Sequence, residues 1–236
     1  MYLAITLILT SVILFYCSYS ISAGVYLKSL CHNREKDGVI AITFDDGVDP
    51  NITPKVLDTL KRYNAKATFF IIGSKAVQYP ELVKRIVEEG HNIGNHSYYH
   101  RGVFPSQSNK LIFEEIEKCS KVLESITKER VRFFRPPFGV TNPNVASPVK
   151  RLGLISIGWS IRSLDTVKQP REVVAKRVNN KINKRLKKDI NNRVISGEVV
   201  LLHDNREGAQ VLLTLILENI KEKGLKAVTV SELFDI

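Results

Sequence analysis

The sequence predicts an α/β fold in which parallel strands form a single layered or barrel domain, preceded by an N-terminal membrane helix. From residue 39 to the C-terminus, short apolar runs alternate with amphipathic stretches, which is the pattern of repeated strand–helix units. Polar residues with catalytic chemistry follow directly after these apolar runs, where parallel α/β folds gather their active sites. The first 27 residues carry no charged side chain, which indicates a segment that enters a membrane.

The N-terminal segment 1–27 is predicted to be an uncleaved transmembrane anchor, and residues 28–38 a juxtamembrane linker. The segment is apolar and long enough to cross a hydrocarbon core of about 30 Å as a helix. A cleaved signal sequence is the alternative, although no Lys or Arg precedes the apolar stretch and the cleavage site at 20–22 is weak. The cationic residues that follow the segment favour a cytoplasmic position for residues 28–38. We nevertheless expect a membrane-anchored protein with its folded domain outside the cytoplasm.

The predicted catalytic domain, residues 39–236, contains seven strands and five helices in alternation. Thr53 is predicted to cap a helix with Pro54 at its first position, and a second helix is predicted from Pro80 to a stop at Gly90. Further helices are predicted over Asn109–Thr127, Arg171–Ile190 and Gly208–Lys223. The strands are predicted at Val39–Phe44, Ala67–Ile72, His91–Asn95, Arg132–Arg135, Leu154–Trp159, Glu198–His203 and Lys226–Val230.

The composition is that of a globular protein with an excess of positive charge. Hydrophobic residues make up 44% and charged residues 25% of the 236 residues, which excludes collagen-like and wholly disordered chains. The formal net charge of +11 favours an anionic environment, such as nucleic acid, acidic lipid or an anionic polymer. Cys17, Cys31 and Cys119 are too few and too scattered for a disulfide framework or a cysteine-based zinc site. We favour a buried free thiol at Cys119 over a Cys31–Cys119 bridge.

Two of the polar motifs contain groups that bind metals. Asp45 and Asp46 end the first predicted strand, and two carboxylates in one desolvated site repel each other unless a cation is present. A turn closed by Gly47 is the structural alternative. His96 and His100 follow the third strand four residues apart, so their imidazoles converge if the segment makes one helical turn. Two histidines and one carboxylate with an open water position are a common catalytic zinc set, whereas a chance pair of histidines is the alternative.

The remaining candidates follow later strands. Arg135 opens a rigid proline-containing loop whose backbone N–H groups could face an oxyanion, although a plain turn is the alternative. Trp159 and Asp165 follow the fifth predicted strand, and His203 ends the sixth. A single Trp or His is more often structural. What favours function here is that each motif lies at the C-terminal end of a different predicted strand, where an α/β barrel would bring them together.

Taken together, these motifs resemble the polysaccharide deacetylase family, also called the NodB homology domain or carbohydrate esterase family 4. In chain order the motifs are TFDDG at Thr43–Gly47, HSYYH at His96–His100, RPPFG at Arg135–Gly139, WSIRSLD at Trp159–Asp165 and LLH at Leu201–His203. The resemblance covers roughly residues 39–234 and implies a distorted (β/α)7 barrel, in agreement with the seven predicted strands. It also implies a metal-dependent hydrolase that removes N-acetyl groups from amino sugars of a cell-wall or envelope polysaccharide, peptidoglycan or chitin-like.

The resemblance assigns a role to each candidate residue. Asp46, His96 and His100 would hold a divalent metal, most often zinc. Asp45 would be the general base that takes a proton from the attacking water, and His203 the acid that protonates the leaving amine. The supporting roles would fall to Arg135, which steadies the base, to Asp165, which orients the acid, to the backbone N–H of Phe138, which stabilises the oxyanion, and to Trp159 and Leu201, which wall the acetyl methyl.

Several positions depart from the family pattern. Val48 stands where many relatives have Pro, and Phe138 replaces the commoner Tyr. Arg162 and Thr166 stand where many members have Asp and an aromatic residue, so the identity of the substrate is left open more than the type of reaction. An O-acetyl esterase acting on acetylated polysaccharide such as xylan, and a non-catalytic carbohydrate-binding domain, are the alternatives.

Segment 171–193 holds most of the excess charge. It carries nine Lys and Arg against two acidic residues, so +7 of the net +11 lies there. Interleaved apolar residues indicate a helix with a solvated basic face. Nucleic-acid binding is not expected, because aromatic interleaving and recognised nucleic-acid motifs are absent. Contact with acidic lipid or an anionic wall polymer is a further hypothesis, and the oligomeric state is left open.

Overall fold

The structure is a computed structural model, and it describes residues 2–188 and 194–236. In these residues the strands are β1 (Val39–Gly47), β2 (Thr68–Ile71), β3 (Asn92–Asn95), β4 (Phe133–Phe134), β5 (Ile155–Ser156), β6 (Ile161–Arg162), β7 (Lys187–Lys188), β8 (Val194–Ile195), β9 (Val199–His203) and β10 (Lys226–Val228). The helices are α1 (Tyr2–Tyr19), α2 (Thr53–Arg62), α3 (Gly73–Gln78), α4 (Pro80–Glu88), α5 (Asn109–Thr127), α6 (Pro143–Arg151), α7 (Arg171–Arg185), α8 (Ala209–Glu222) and α9 (Val230–Phe234).

Eight of these strands form one parallel sheet. Its order is β5-β4-β3-β2-β1-β9-β6, and β10 pairs with the start of β1. The central strand, β1, therefore has neighbours on both edges over most of its length. All seven predicted strands are present, and the predicted α/β fold of parallel strands is confirmed as a partial barrel. The two-residue strand β6 is an addition that the sequence did not predict.

Alternate residues of β1 face opposite sides of the sheet, as the two-residue period of a strand requires. Ile40, Ile42 and Phe44 belong to the large core cluster that includes the apolar faces of α2, α4 and α8. Ala41 packs in a second cluster with residues of the other strands, on the interior side of the barrel. Thr43 is on this interior side and is also fully buried. Burial on both faces explains why the strands appear in the sequence as nearly continuous apolar runs.

Residues 28–38 are part of the barrel and not a linker, which corrects the prediction. Leu30 forms a parallel bridge with Ile157, just after β5, and His32 forms an antiparallel bridge with Glu198, just before β9. The Leu30 N–H donates to the Ser156 carbonyl at 2.9 Å. The segment therefore forms hydrogen bonds with backbone groups that the open side of the sheet would leave unpaired. Its sequence has no strand periodicity, so this pairing could not be predicted.

The predicted N-terminal anchor is only partly helical. Helix α1 ends at Tyr19, and Ile21 and Leu27 are buried in the folded domain with 4% and 5% of their surfaces exposed. The Thr141 N–H also donates to the Ser18 carbonyl at 2.9 Å, so the end of α1 is attached to the domain. Across residues 2–188 and 194–236, no helix combines the length and the apolar character needed to cross a bilayer. The predicted N-terminal membrane helix is therefore not supported.

The helix predictions agree with the structure in all but their ends. Helix α2 begins one residue before the prediction: Thr53 lies inside it, and its hydroxyl donates to the buried Asp204 at 2.6 Å instead of capping the helix. Helix α7 ends at Arg185 and is followed by β7, so the prediction to residue 190 is too long, and positions 189 and 190 lie outside the described residues. The short helices α3, α6 and α9 were not predicted. The buried thiol at Cys119 is confirmed, and all three cysteines are free.

Candidate metal and catalytic site

A cavity of about 190 Å³ opens where the C-terminal ends of the barrel strands meet. Two of the predicted site residues, Arg135 and Asp165, are buried and hydrogen-bonded to residues that line this cavity. The other eight predicted residues line it: Asp45, Asp46, His96, His100, Phe138, Trp159, Leu201 and His203. The structure therefore brings all ten predicted residues to one place, as expected for strand ends of a parallel sheet.

The side chains of Asp46, His96 and His100 converge as a metal-ligand set. Their donor atoms all lie within 4.8 Å of one another. The Asp46 Oδ1 atom is 3.5 Å from Nε2 of His96 and 3.4 Å from Nε2 of His100. The Nδ1 atom of His96 is 2.9 Å from the carbonyl oxygen of Arg135, so Nδ1–H donates there and the Nε2 lone pair faces Asp46. One carboxylate and two oriented imidazoles fit a divalent cation such as zinc.

The protonation states of this set also suit a cation. Burial, reinforced by the nearby His96, lowers the pKa of His100 to about 4, so its imidazole is neutral at pH 7. Burial alone would raise the pKa of Asp46, but the close contact with His96 and the charges that His96, His100 and His203 carry when protonated hold it well below its usual value. The ionised carboxylate of Asp46 and the neutral imidazole of His100 are the forms that bind metals.

Asp45 is held by a fully buried arginine. Arg135 Nη1 donates to Asp45 Oδ1 at 2.7 Å and to the Thr43 hydroxyl at 2.8 Å. The same guanidinium donates to the carbonyls of Ile157 at 3.0 Å and Gly158 at 2.8 Å. One carboxylate oxygen of Asp45 is thus fixed by a charge-assisted hydrogen bond, and the other, Oδ2, lies 3.7 Å from His96 Nε2.

A second carboxylate orients His203. Asp165 Oδ1 accepts from His203 Nδ1 at 2.7 Å, and its Oδ2 accepts the backbone N–H of the same residue at 2.8 Å. The Ser163 hydroxyl donates to Asp165 at 2.9 Å. Burial opposes protonation of His203, but the hydrogen bond and charge of Asp165 outweigh it, so the pKa of His203 is raised above its ordinary value. Its Nε2 atom faces the cavity, 4.0 Å from Asp46 Oδ2.

Backbone conformations that non-glycine residues rarely adopt are concentrated at this site. Such φ angles carry a free-energy cost of roughly 1–3 kcal/mol each and persist where the surrounding structure enforces them. The non-glycine residues with positive φ in and next to the motifs are Asp46 (68°), Ser97 (62°), His100 (53°), Phe138 (61°) and Leu164 (59°). At Gly139, a Cβ atom would overlap the Trp159 ring, so glycine is required for that ring to close the cavity wall.

Several contributing residues were not predicted from the sequence. Lys75 Nζ donates to the Asp46 carbonyl at 2.6 Å. Arg171 joins two site loops: its Nη1 donates to the Asp165 carbonyl at 2.9 Å and its Nε to the Glu207 carbonyl at 2.8 Å. These contacts use backbone acceptors, which carry no sequence signal. Arg206 lines the cavity and was also missed.

The residues that depart from the family pattern also lie at the cavity. Arg162 and Thr166 line it and are exposed. The Phe138 ring is 49% exposed, and its centroid lies 4.7 Å from that of the His100 ring. These side chains form an exposed part of the cavity wall.

Comparison with protein families assigns the chain. Residues 32–157, more than half of the sequence, match the family described as Polysaccharide deacetylase. The chain therefore belongs to the polysaccharide deacetylase family, as the five motifs implied.

Individual relatives agree with this assignment. A peptidoglycan-N-acetylglucosamine deacetylase of Bacillus cereus is 40% identical over 204 residues, which cover 85% of this chain and 89% of that protein. The peptidoglycan-N-acetylglucosamine deacetylase PgdA of Listeria monocytogenes is 37% identical over 195 residues, 83% of this chain but 38% of the relative, so the match spans well under half of that longer protein. A family 4 acetyl xylan esterase from Clostridium thermocellum, solved with a cobalt ion, superposes with a TM-score of 0.73 at 31% identity, covering 84% of this chain and 90% of that structure.

Proposed function

We propose that this protein is a metal-dependent hydrolase that removes N-acetyl groups from the amino sugars of peptidoglycan or a similar cell-wall polysaccharide. The proposal rests on one observation: three groups of interacting side chains meet at one cavity. These are the metal-ligand set, the Asp45–Arg135 pair and the His203–Asp165 pair. The names of the Bacillus and Listeria relatives support the choice of peptidoglycan.

Asp46, His96 and His100 would hold the metal, for which zinc is the best fit, and when bound it would supply Lewis-acid polarisation of the acetyl carbonyl and of the attacking water. Asp45 accepts the proton of that water at Oδ2, because Oδ1 is occupied by Arg135. The backbone N–H of Phe138 stabilises the negative charge that develops on the carbonyl oxygen. The walls formed by Trp159 and Leu201 enclose the acetyl methyl group.

The acid of the reaction is His203. An amide C–N bond breaks readily only if the leaving nitrogen is protonated, so the acid must still carry its proton near neutral pH. The raised pKa of His203 meets that requirement, and the Nδ1–H bond to Asp165 directs Nε2–H toward the cavity. Base and acid are thus two different residues, each oriented by a buried partner.

Acetate release from peptidoglycan and from N-acetylglucosamine oligomers tests the proposal. We expect chelation to abolish release and zinc to restore it, and Asp45→Asn to lower kcat by about 100-fold or more. Asp58→Asn is the matched control, because Asp58 is an exposed residue of α2 paired with Arg85 on the surface. Release that survives both chelation and Asp45→Asn would contradict the metal hydrolase. A protein that binds the glycan without metal and without release would be a carbohydrate-binding domain.

An O-acetyl esterase is the second candidate, because the chain is similar in structure to an acetyl xylan esterase. The same metal set and base would serve an ester, so geometry of the site does not separate the two reactions. Comparing kcat/KM for acetylated xylan and for N-acetylated oligomers does. A protein that holds its metal and releases acetate from xylan alone would be the esterase.

We infer that the N-terminal segment brings the domain to the outer face of the membrane, where such a polymer lies. Helix α1 exposes apolar side chains, among them Val12, Ile13 and Phe15 at 60%, 60% and 62%. Fractionation of cells that express the full chain, or a chain without residues 2–19, tests this. We expect the membrane fraction to lose the shortened chain. If the shortened chain instead binds anionic vesicles at low salt, the positive charge of the domain, and not α1, makes the attachment.

A further inference from the structure

Asp204, the residue after the proposed acid, is a buried carboxylate with no part in the proposed reaction. None of its surface is exposed. Its Oδ2 atom accepts a hydrogen bond from the Thr53 hydroxyl at 2.6 Å, whereas Oδ1 accepts none from any other described residue. A buried polar atom without a partner carries a free-energy cost, so an apolar side chain would be the more stable choice here unless the carboxylate serves the site.

The Asp204 carboxylate lies against Gly47, the residue that follows the metal ligand Asp46. A Cβ atom at Gly47 would overlap both carboxylate oxygens, and the three heavy atoms nearest to it would all belong to Asp204. Glycine is therefore needed at position 47 because Asp204 occupies the space that a side chain would take. The contact joins the end of β9 to the loop that carries a metal ligand.

The Thr53 hydroxyl extends this contact along the same loop. It accepts the backbone N–H of Asp49 at 2.8 Å and donates its own proton to Asp204. Thr53 itself is fully buried, so water cannot replace either hydrogen bond. Asp204 is thus connected to the loop at two points, by packing on Gly47 and through Thr53 to the backbone of Asp49.

The loop needs such contacts because of the backbone conformation at Asp46. Its φ angle is 68°, which a non-glycine residue keeps only when the surrounding structure enforces it. Two hydrogen bonds hold the carbonyls: Lys75 Nζ donates to that of Asp46 at 2.6 Å, and the Ile72 N–H to that of Gly47 at 3.1 Å. Asp204 supplies the corresponding contact from β9.

We propose that Asp204 is a positioning residue of the metal site, which holds the loop from Asp46 to Asp49 so that the Asp46 carboxylate faces its two histidines. The inference rests on the proposed metal-dependent function and adds a residue that supports the ligand set. Asp204 is not among the residues that line the cavity, so it acts through the loop and does not touch metal or substrate. Removal of residues that orient a metal ligand commonly weakens metal binding by about 10–100-fold.

The zinc affinity of the full-length chain, measured by competition with a chromophoric chelator, tests the proposal without any glycan. Asp204→Ala should weaken zinc binding about tenfold, because the loop loses both contacts. Gly47→Ala should have an effect of similar size, because the new methyl group displaces the Asp204 carboxylate. In the Asp204→Ala background, however, Gly47→Ala should weaken binding by about threefold or less, because the space is then free.

A conservative pair and a control separate positioning from loss of stability. Thr53→Val removes the hydroxyl and should weaken zinc binding several-fold, whereas Thr53→Ser keeps it and should stay within about twofold of the parent chain. Ile86→Ala is the control, since Ile86 is a fully buried residue of α4 that does not line the cavity. It should lower the urea midpoint of unfolding and leave zinc affinity unchanged. If Asp204→Ala does not fold, Gly47→Ala and the Thr53 pair decide the question.

Different outcomes contradict the positioning role and the metal site itself. Unchanged zinc affinity in Gly47→Ala and Thr53→Val would overturn the positioning role. Equal effects of Gly47→Ala in both backgrounds would also overturn it, because the two residues would then act independently. So would an Asp204→Ala chain with the parent zinc affinity and a lower kcat, since Asp204 would then serve His203. A parent chain that binds no zinc would refute the proposed metal-dependent function.

Discussion

Removal of Arg135 should destabilise the barrel strongly, because this side chain is a fully buried cation with a buried partner. Arg135→Met keeps the approximate length of the side chain and deletes its charge. Removal of one member of a buried ion pair leaves the other charge unpaired, at a cost of about 3–5 kcal/mol. The carbonyls of Ile157 and Gly158 also lose their donors, so we expect a loss in the upper part of this range.

A second substitution separates the charge from the packing. Asp45→Asn removes the carboxylate that Arg135→Met leaves unpaired, so the double variant should be more stable than Arg135→Met alone by about 1–3 kcal/mol. Urea unfolding followed by circular dichroism, in the presence of a chelator, gives these free energies without a contribution from metal binding. Arg130→Met is the control, because Arg130 is exposed, and it should change stability by about 0.5 kcal/mol or less.

Two results would refute this reasoning. One is an Arg135→Met variant that unfolds at the same urea concentration as the parent chain. The other is a double variant whose loss equals the sum of the two single losses, since independent sites add and interacting ones do not. Either result would mean that the pair contributes packing and not electrostatic coupling.

Three further predictions concern the reaction and the metal. Asp165→Asn removes the charge that raises the pKa of His203. Activity is lost as pH rises through that pKa, so the alkaline limb of the kcat/KM profile should move to lower pH. An alkaline limb that does not move would argue against His203 as the acid. Arg171→Gln should lower kcat about tenfold with little change in KM, because the loops that carry Asp165 and Glu207 lose the donor that joins them. The control Glu172→Gln should leave both kcat and KM unchanged. Zinc should stay bound at pH 6 and leave as the pH falls toward 4, because His100 then takes up a proton. The metal content of the protein after dialysis measures this loss. Full retention of zinc at pH 3 would contradict the prediction.

The residues of the site were predictable because each lies at the end of an apolar run in the sequence. Asp45, His96 and His203 each follow an apolar run, and such runs became β1, β3 and β9 of one parallel sheet. Parallel neighbours bring their C-terminal ends to the same edge, so side chains far apart in the chain meet there. The catalytic roles of these residues stay predictions. Their common location at the cavity is observed in the structure.

Other features could not be predicted because their partners are backbone atoms or distant edges. Nothing in the sequence distinguishes Lys75, which donates to a site carbonyl, from a solvated lysine on a short helix. Residues 28–38 lack strand periodicity, and their place is set by the gap in a barrel built from the rest of the chain. Helix α6 is different, because Asn142 before Pro143 is a readable helix start, and Asn142 does accept the Val145 N–H at 3.0 Å.

The basic helix α7 shows how a charge count can mislead about function. A run of cations on one helix suggests a surface for an anionic partner, yet most of the cations in α7 have partners inside the protein. Three of them donate to carbonyls of the loop that carries Asp165: Lys181 to Arg162 at 3.1 Å, Arg177 to Ser163 at 2.8 Å and Arg171 to Asp165 at 2.9 Å. A fourth, Arg185, pairs with Glu198 at 2.6 Å. Because a loop without regular structure leaves its carbonyls unpaired, long cationic side chains from a neighbouring helix are an effective way to fix it. The charge of α7 is therefore better explained as support for the His203–Asp165 pair than as a docking surface.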